Sequence, residues 1–375
     1  MLGSLQQRLH RCGVQLKVLY GPSSDAEIEH SPREIPEWAE PVRTRVAFGG
    51  RICWQSAWPA ARQADLVITP QESRLLFNGV LSLLRPAPRW ALWGQGRNFR
   101  ALSPGSSAER FKRWFSRRPD WWFASTDRSA EVVLAEGYPR NRITVLNHAQ
   151  AMAPVRERTE PMSVEGEGRA MHDLGISPGP VGLLLGRLGA ETRVGFALEA
   201  AARVRQQVPG FQLVVVGEGP ARAQVEDAVR QSRSEGGWIL WLGHRSGAEK
   251  AALLRRADLL INPGSVGQVM LESFVAGTPL VTCELLSHGP ERAYLRHGEN
   301  GWVSRDDVGS FSNAVCWLLH NPATRQRLRE ACMRDAEVYT LEAMVRHFAD
   351  GIMSCLARPS RRSEPRVFSQ ASASA

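Results

Sequence analysis

Two arginines six residues apart in GRLGAETRVG, residues 186–195, are the clearest chemical feature of this chain. The segment follows an apolar run, GPVGLLL, that reads as a buried strand, and precedes the helical pattern GFALEAAARVRQQ. Open parallel sheets bind ligands outside the carboxyl ends of their strands. Arg187 and Arg193 therefore stand where a diphosphate would be clamped, each charge-assisted contact contributing ~1.5–3 kcal/mol. In a chain this rich in arginine, the same pair also reads as two solvated side chains. The stretch NPGSVGQVMLES, residues 262–273, repeats the geometry: a strand runs into Gly264, Ser265, Val266 and Gly267, then into a helix near Gln268. Such a loop lets the backbone approach a phosphate while the first helix amides point at it. Glu272, one turn inside that helix, is placed to accept hydrogen bonds from a ribose diol. A glycine loop followed by an ordinary surface glutamate fits the same letters. GEGP, residues 217–220, reads as a structural turn with proline at a first helical position.

A second chemical feature is basic and aromatic. In RFKRWFSRRPDWWF, residues 110–123, arginine, lysine and tryptophan alternate ahead of a strand. The pattern is that of an amphipathic interfacial segment. Lys112, Arg113, Arg117 and Arg118 would pair with anionic headgroups at ~1 kcal/mol each, with Trp114 and Phe115 dipping into the interface. Trp121, Trp122 and Phe123 read as core strand residues. Exposed arginines with no lipid partner are the alternative, and no nucleic-acid-binding module is recognisable.

The elements that position these groups alternate. ADLVIT, RWALWG, WWFAST and RITVLN are strands in the first half, preceded by a short strand VQLKVLY, with helical patterns between them. FQLVVVGEGP, WILWLG, ADLLINPG and PLVTCE continue the scheme in the second half. Strands alternating with helices imply an α/β fold with parallel sheets covered on both faces. The economical architecture is two Rossmann-like domains, 1–149 and 150–357, with the last helix free to pack back on the first domain. Residues 358–375 have no periodicity and read as a disordered tail.

At 375 residues, with 43% hydrophobic and 23% charged residues, the chain is long enough for two domains, and wholesale disorder is excluded. Six scattered cysteines, with no C-x-x-C pair, exclude a zinc ribbon or disulfide scaffold and suit a reducing compartment. No apolar run approaches 18 residues, and the first residues lack the apolar core of a signal peptide. The expected location is the cytoplasm, peripheral on the inner face of the membrane. The net charge of +9 is uneven: residues 1–150 hold 21 Lys and Arg against 13 Asp and Glu, whereas residues 151–357 sit near −2. Such one-sidedness points to an anionic partner for the first half.

The ordered set GRL, Arg193, VVVGEGP, WLGH, ADLLINPG, LESFVAGTPLVT and NGWV resembles the C-terminal domain of glycosyltransferase family 4, retaining enzymes of the GT-B fold that use sugar nucleotides. ADLVITPQESRLL, WGQGRNF and WWFASTDRSAEVVLAEGYPRNRITVLNHA resemble that family's acceptor domain, so the likeness covers roughly residues 1–350. It implies two Rossmann-like domains whose parallel sheets face across a cleft. A UDP- or GDP-sugar would be held by the second domain, and a saccharide or lipid-linked saccharide acceptor by the first. Transfer would need no metal or other cofactor, in keeping with the absence of a D-x-D motif. Arg187 matches the family's donor-phosphate arginine, Arg193 stands where lysine is usual, and Glu272 matches the ribose-contacting second glutamate of its paired-glutamate motif. The first glutamate of that pair falls at Gly264.

The P-G-x-V-G loop resembles a polysaccharide-assembly branch that also carries H-x-P-E, here His288 to Glu291. Glu291 is then a sugar or nucleotide contact, or else part of a helix N-terminal cap. Gln95 replaces the histidine of W-G-H-G-R-N near the sugar, and Arg97 and Asn98 line the acceptor side. Glutamine cannot titrate. The mechanism proposed for this fold uses the leaving phosphate oxygen as base, so no protein base is required. The family normally opens with a strand and a glycine-containing loop, and this chain is expected to begin inside the helix that follows them, either with a truncated start or with a sheet that lacks a strand. A non-catalytic binding relative and a GT-B sugar-nucleotide epimerase remain the alternatives, and a phosphorylase-like enzyme is disfavoured by the surroundings of Lys250.

Overall fold

The computed structural model describes residues 1–21, 35–50, 52–97, 107–147, 171–285 and 288–361. The chain divides into two compact units, Met1–Asn147 with Met344–Ala375, and His148–Ala343.

In the first unit, α1 (Leu2–Arg11) buries Leu5 and Leu9, one turn apart. Two short strands, β1 (Leu19–Tyr20) and β2 (Glu40–Pro41), pair in parallel. Next, β3 (Thr44–Ala47) and β4 (Ile52–Gln55) form an antiparallel pair, a departure from the expected run of parallel strands. The cause lies at the turn. Phe48, Gly49 and Gly50 all take positive φ, 53°, 62° and 88°, and positive φ at a turn sends the chain directly back rather than through a crossover. VQLKVLY contributes only the two residues of β1, because the partner it finds is equally short.

Beyond α2 (Trp58–Gln63), strands β5 (Leu66–Pro70), β6 (Arg89–Gly94), β7 (Trp121–Ala124) and β8 (Ile143–Val145) lie side by side in sequence order, all parallel. Helices α3 (Leu76–Leu84), α4 (Ser107–Ser116) and α5 (Asp127–Ala135) connect them. Trp121, Trp122 and Phe123 are buried as core strand residues. The indoles still find acceptors: Trp121 donates to Thr144 Oγ1 at 2.9 Å and Trp122 to the Ser116 carbonyl at 2.9 Å.

The second unit holds a six-stranded, all-parallel sheet. Its strands are β9 (Val181–Leu185), β10 (Gln212–Val216), β11 (Ile239–Trp241), β12 (Leu259–Ile261), β13 (Leu280–Cys283) and β14 (Gly301–Ser304), in the order β11-β10-β9-β12-β13-β14. This is the doubly wound order, which reverses direction between β9 and β12. All residues of β9 and β10 are buried, because helices cover both faces. Leu184, Val215 and Val281 enter one core, and Leu183, Val214, Val216 and Leu260 enter the other. The helices are α6 (Val194–Gln207), α7 (Arg222–Ser232), α8 (Gly247–Arg256), α9 (Val269–Ala276), α10 (Val308–His320) and α11 (Pro322–Val338). Asp307 caps α10, accepting from the Ser310 amide at 2.7 Å.

The final helix, α12 (Leu341–Ala357), returns to the first unit from Met344 onward. There Phe348 packs on Phe123 and Trp93, with centroids 4.6 and 5.3 Å apart. Residues 358–361 continue as a docked strap, where the sequence reads as a disordered tail; the rest of that tail lies outside the described residues. The anchor is Asp120, 1% exposed. Its Oδ1 accepts from the Ser360 hydroxyl and the Arg361 amide, both at 2.7 Å. Its Oδ2 accepts from the Trp90 amide at 3.0 Å and pairs with Arg85 at 2.5 Å. Arg361 also lies over the Tyr138 ring at 4.6 Å.

Removing this carboxylate leaves Arg85 and three donors without their acceptor. Asp120→Ala is therefore expected to lower unfolding stability by about 3–5 kcal/mol and to open Arg358 and Arg361 to trypsin under native conditions. Urea titration and limited proteolysis check this. A variant as stable and as trypsin-resistant as the wild type would refute the anchoring role.

Candidate functional site

The strand-order reversal between β9 and β12 leaves a crevice at the carboxyl ends of these two strands, and the segments flanking it are joined. Leaving β9, the chain passes Arg187, makes a single turn at Ala190–Thr192, and reaches Arg193 in a left-handed conformation, φ 54°, at the start of α6. Leaving β12, it runs through residues 262–267 into α9. The Ser265 amide donates to the Glu191 carbonyl at 2.7 Å. A Cβ on Gly264 would stand 2.1 Å from that same carbonyl oxygen, so only glycine allows the two backbones to meet. The Asn262 side chain accepts from the Gly264 amide at 3.1 Å.

His288 completes the fastening. It is buried, and its Nδ1 accepts from the Val266 amide at 3.2 Å while Nε2 lies 2.8 Å from the Cys283 carbonyl. An acceptor Nδ1 places the proton of a neutral ring on Nε2, which then donates to Cys283. The expectation that the amides of residues 264–266 face a phosphate is thus corrected. All three donate into the protein, to Asn262, Glu191 and His288. Gly267 leads into α9, whose first turn carries the positive end of the helix dipole.

The two arginines differ. Arg187 is exposed and makes no side-chain ion pair among the described residues. Arg193 pairs with Asp306, reaches the Pro263 carbonyl at 3.4 Å, and lies 4.4 Å over the Phe196 ring. It is therefore not the free cation that its spacing suggests. Glu272 is likewise engaged: Lys250, on α8, bonds its Oε1 at 2.8 Å, with both side chains largely buried. The sequence brings Lys250 up only against a phosphorylase-like enzyme, because nothing in its local pattern shows that α8 and α9 lie side by side.

Glu291 sits in the single turn Pro290–Tyr294, half-buried. Its carboxylate folds back over Gly289, where an added Cβ would stand 2.6 Å from Oε2. The Gly289 amide in turn donates to the Val266 carbonyl at 3.2 Å, so Glu291 borders the same loop. GEGP packs backbone on backbone: Gly217 has φ 141°, and a Cβ there would lie 1.8 Å from the Gly186 carbonyl oxygen. An open depression of about 350 Å³ lies beside it, lined by Gly189, Arg193, Gly195, Pro220 and Gln224 among others. Burial pushes the Cys283 thiol up to about 11, which keeps it protonated and without nucleophilic character at neutral pH. Among the described residues, no three His, Cys, Asp or Glu side chains gather into a metal-binding group.

In the first unit, Gln95 and Arg97 are exposed on the loop after β6, and Asn98 lies outside the described residues. The side chain that fixes this loop is Gln71, buried at the end of β5. Its Nε2 donates to the Gly96 carbonyl at 2.8 Å and its Oε1 accepts from the Gly96 amide at 2.9 Å. No spacing rule links Gln71 to Gly96.

The basic helix divides differently from the expectation. Phe115 is fully buried in the core, so it does not reach an interface. Arg117 pairs with Glu136, and Arg118 lies over the Trp114 ring at 4.2 Å. Lys112 is half-buried, and Arg113 and Trp114 are exposed. The neighbouring helix α3, which packs on Phe111 through Gly79, exposes Leu76, Leu83 and Leu84. No helix among the described residues is long and apolar enough to cross a membrane.

Residues 179–321 match the family model described as Glycosyl transferases group 1. The chain is 35% identical over 162 residues to a glycogen synthase of Mycobacterium tuberculosis, covering 41% of this chain and 37% of that protein. It is 34% identical over 156 residues to a phosphatidyl-myo-inositol mannosyltransferase of Mycobacterium leprae, covering 39% of this chain and 38% of that protein. It thus spans well under half the length of these curated relatives. Among solved structures, Anabaena Alr3699/HepE in complex with UDP superposes with a TM-score of 0.68 at 17% identity, covering 94% of this chain and 95% of that one. Over residues 179–321 the chain is thus similar to the group 1 glycosyltransferases, and its fold is of the GT-B class.

Proposed function

We propose that this protein is a retaining glycosyltransferase of polysaccharide or cell-envelope synthesis, moving a sugar from a nucleotide-diphosphate sugar to a saccharide or lipid-linked saccharide. The observation that carries the reading is the joining, at the carboxyl ends of β9 and β12, of the segment that carries Arg187 and Arg193 to the one that leads into α9, through the Ser265 amide and the Glu191 carbonyl. Two guanidinium groups and a helix N-terminus suit a diphosphate. The solved relative was captured with UDP, and others of its structures hold UDP-glucose, or UDP and glucose.

In this reading Arg187 and Arg193 hold the diphosphate, Glu272 accepts from the ribose hydroxyls while Lys250 orients it, and Glu291 contacts the sugar. Gln95 and Arg97 belong to the acceptor side. The bond between the anomeric carbon and the phosphate oxygen breaks, and a bond from the acceptor hydroxyl oxygen to that carbon forms on the same face. The hydroxyl proton passes to the leaving phosphate oxygen. Negative charge gathers on the diphosphate, and the two arginines stabilise it without a metal. The exposed Trp114 next to Arg113, with Leu83 and Leu84 exposed on the neighbouring helix α3, suits contact with an anionic membrane surface, which would bring a lipid-linked acceptor to the first unit.

A thermal-shift panel of UDP, GDP, ADP and their sugar conjugates tests the donor site. At 100 times its dissociation constant, one nucleotide is expected to add ~2.7 kcal/mol of stability to the wild type and almost none to Arg187→Ala/Arg193→Ala. If no nucleotide stabilises the wild type, the donor reading falls. Gly264→Glu restores the glutamate that the family motif has at this position, yet it should do harm. Its Cβ collides with the Glu191 carbonyl, so a loss of about 1–3 kcal/mol and a weaker nucleotide response are expected. A variant that melts like the wild type and binds nucleotide more tightly would contradict the close approach.

A further inference from the structure

The two aspartates that follow β14 have different tasks. Asp307 caps α10 through the Ser310 amide, and that bond holds its carboxyl below the usual range. Asp306 takes no part in the cap, and its ion-pair partner among the described residues is Arg193. Arg187 is thus exposed with no ion pair among the described residues, whereas Arg193 is covered by an internal anion.

We propose that Asp306 is a donor-site residue, an internal counter-anion that a diphosphate must displace from Arg193, and that it thereby sets the affinity of the site. The inference rests on the donor-site reading above. Three features make the exchange workable. The Arg193 guanidinium keeps its place without Asp306, because Phe196 lies beneath it at 4.4 Å and the Pro263 carbonyl lies at 3.4 Å. The left-handed backbone at Arg193 fixes the direction from which its side chain departs. The Asp306 side chain is 42% exposed, so it can turn into solvent with its charge still hydrated. While it stays, it repels an incoming phosphate and occupies the donors that phosphate needs. A diphosphate held first at the open Arg187 carries enough charge to take over Arg193 as well.

The test uses the full chain and two probes, inorganic pyrophosphate and UDP, with GDP and ADP as further nucleotides, measured by titration calorimetry. A half-exposed pair is weak, so Asp306→Asn should tighten binding by about two- to fivefold. The gain should shrink as salt is raised. Asp306→Glu, which keeps the charge, should bind like the wild type. In the Arg193→Ala background, Asp306→Asn should produce no gain, because the two residues act through one contact. Unchanged binding in Asp306→Asn would overturn the inference while leaving the donor site standing. Weaker binding would overturn it too, because Asp306 would then be orienting Arg193 for the ligand. If neither protein binds pyrophosphate or any of the three nucleotides, the donor-site reading and this inference fall together.

Discussion

The second unit depends on one close approach, the contact between the loop after β12 and the turn after β9. The reversal of strand order forces these two segments apart at their origins, since the chain leaves β9 and β12 toward helices on opposite faces. They are brought back together by a single amide, Ser265 to the Glu191 carbonyl, and by the missing side chain at Gly264. A Cβ at that position would separate the loops and with them Arg193 and the start of α9. Asn262 and His288 hold the remaining amides of the loop, so its shape is set by the protein itself. A buried amide left unpaired costs about 1–3 kcal/mol, and three such bonds in consecutive residues leave the loop no low-energy alternative.

Rigidity here has a chemical consequence. Stabilising charge that develops during a reaction requires donors that are already oriented, because reorienting them would consume the energy gained. A loop whose amides all face outward would be soft until the ligand arrived. This loop instead directs the amides of residues 264–266 inward, and in the proposed donor-site reading the ligand falls to the side chains and helix N-terminus that it positions. Gln71 does comparable work in the first unit, using both ends of one amide to hold Gly96 and with it the loop that carries Gln95 and Arg97.

Local patterns made much of this legible. The segments GPVGLLL and FQLVVV, each followed by a glycine, read correctly as β9 and β10, and the alternation of strands and helices implied the parallel sheets. The sequence also placed Arg187, Arg193 and Glu272 near carboxyl ends of strands, where the structure has them. What it hid were partners distant along the chain. Nothing near Glu272 announces Lys250, and nothing near Arg193 announces Asp306. The strap at residues 358–361 has the composition of a tail, yet a buried carboxylate, Asp120, takes two of its donors while Arg89 and Arg142 donate to the Arg358 and Pro359 carbonyls. The spacing of Phe111, Trp114 and Phe115 marks one apolar helix face, but periodicity cannot say which ring meets the core. The structure buries Phe115 and leaves Trp114 outside.

Arginine at position 193, where the family resemblance implies lysine, fits these surroundings. An ammonium is a compact, strongly hydrated charge that offers no flat face, whereas a guanidinium is planar and weakly hydrated. Only the planar group can lie on Phe196 while its edge addresses Asp306 and the Pro263 carbonyl. Stacking on the ring fixes the plane of the donors, and the edge contacts then fix their direction. A lysine in the same left-handed backbone would keep the charge but would lose the ring and swing about its stem. Its hold on Asp306 would be a point attraction, easily exchanged for water. Arginine thus makes the pair with Asp306 geometrically defined, and a defined pair is what lets one half-exposed carboxylate compete with an incoming phosphate at a single place.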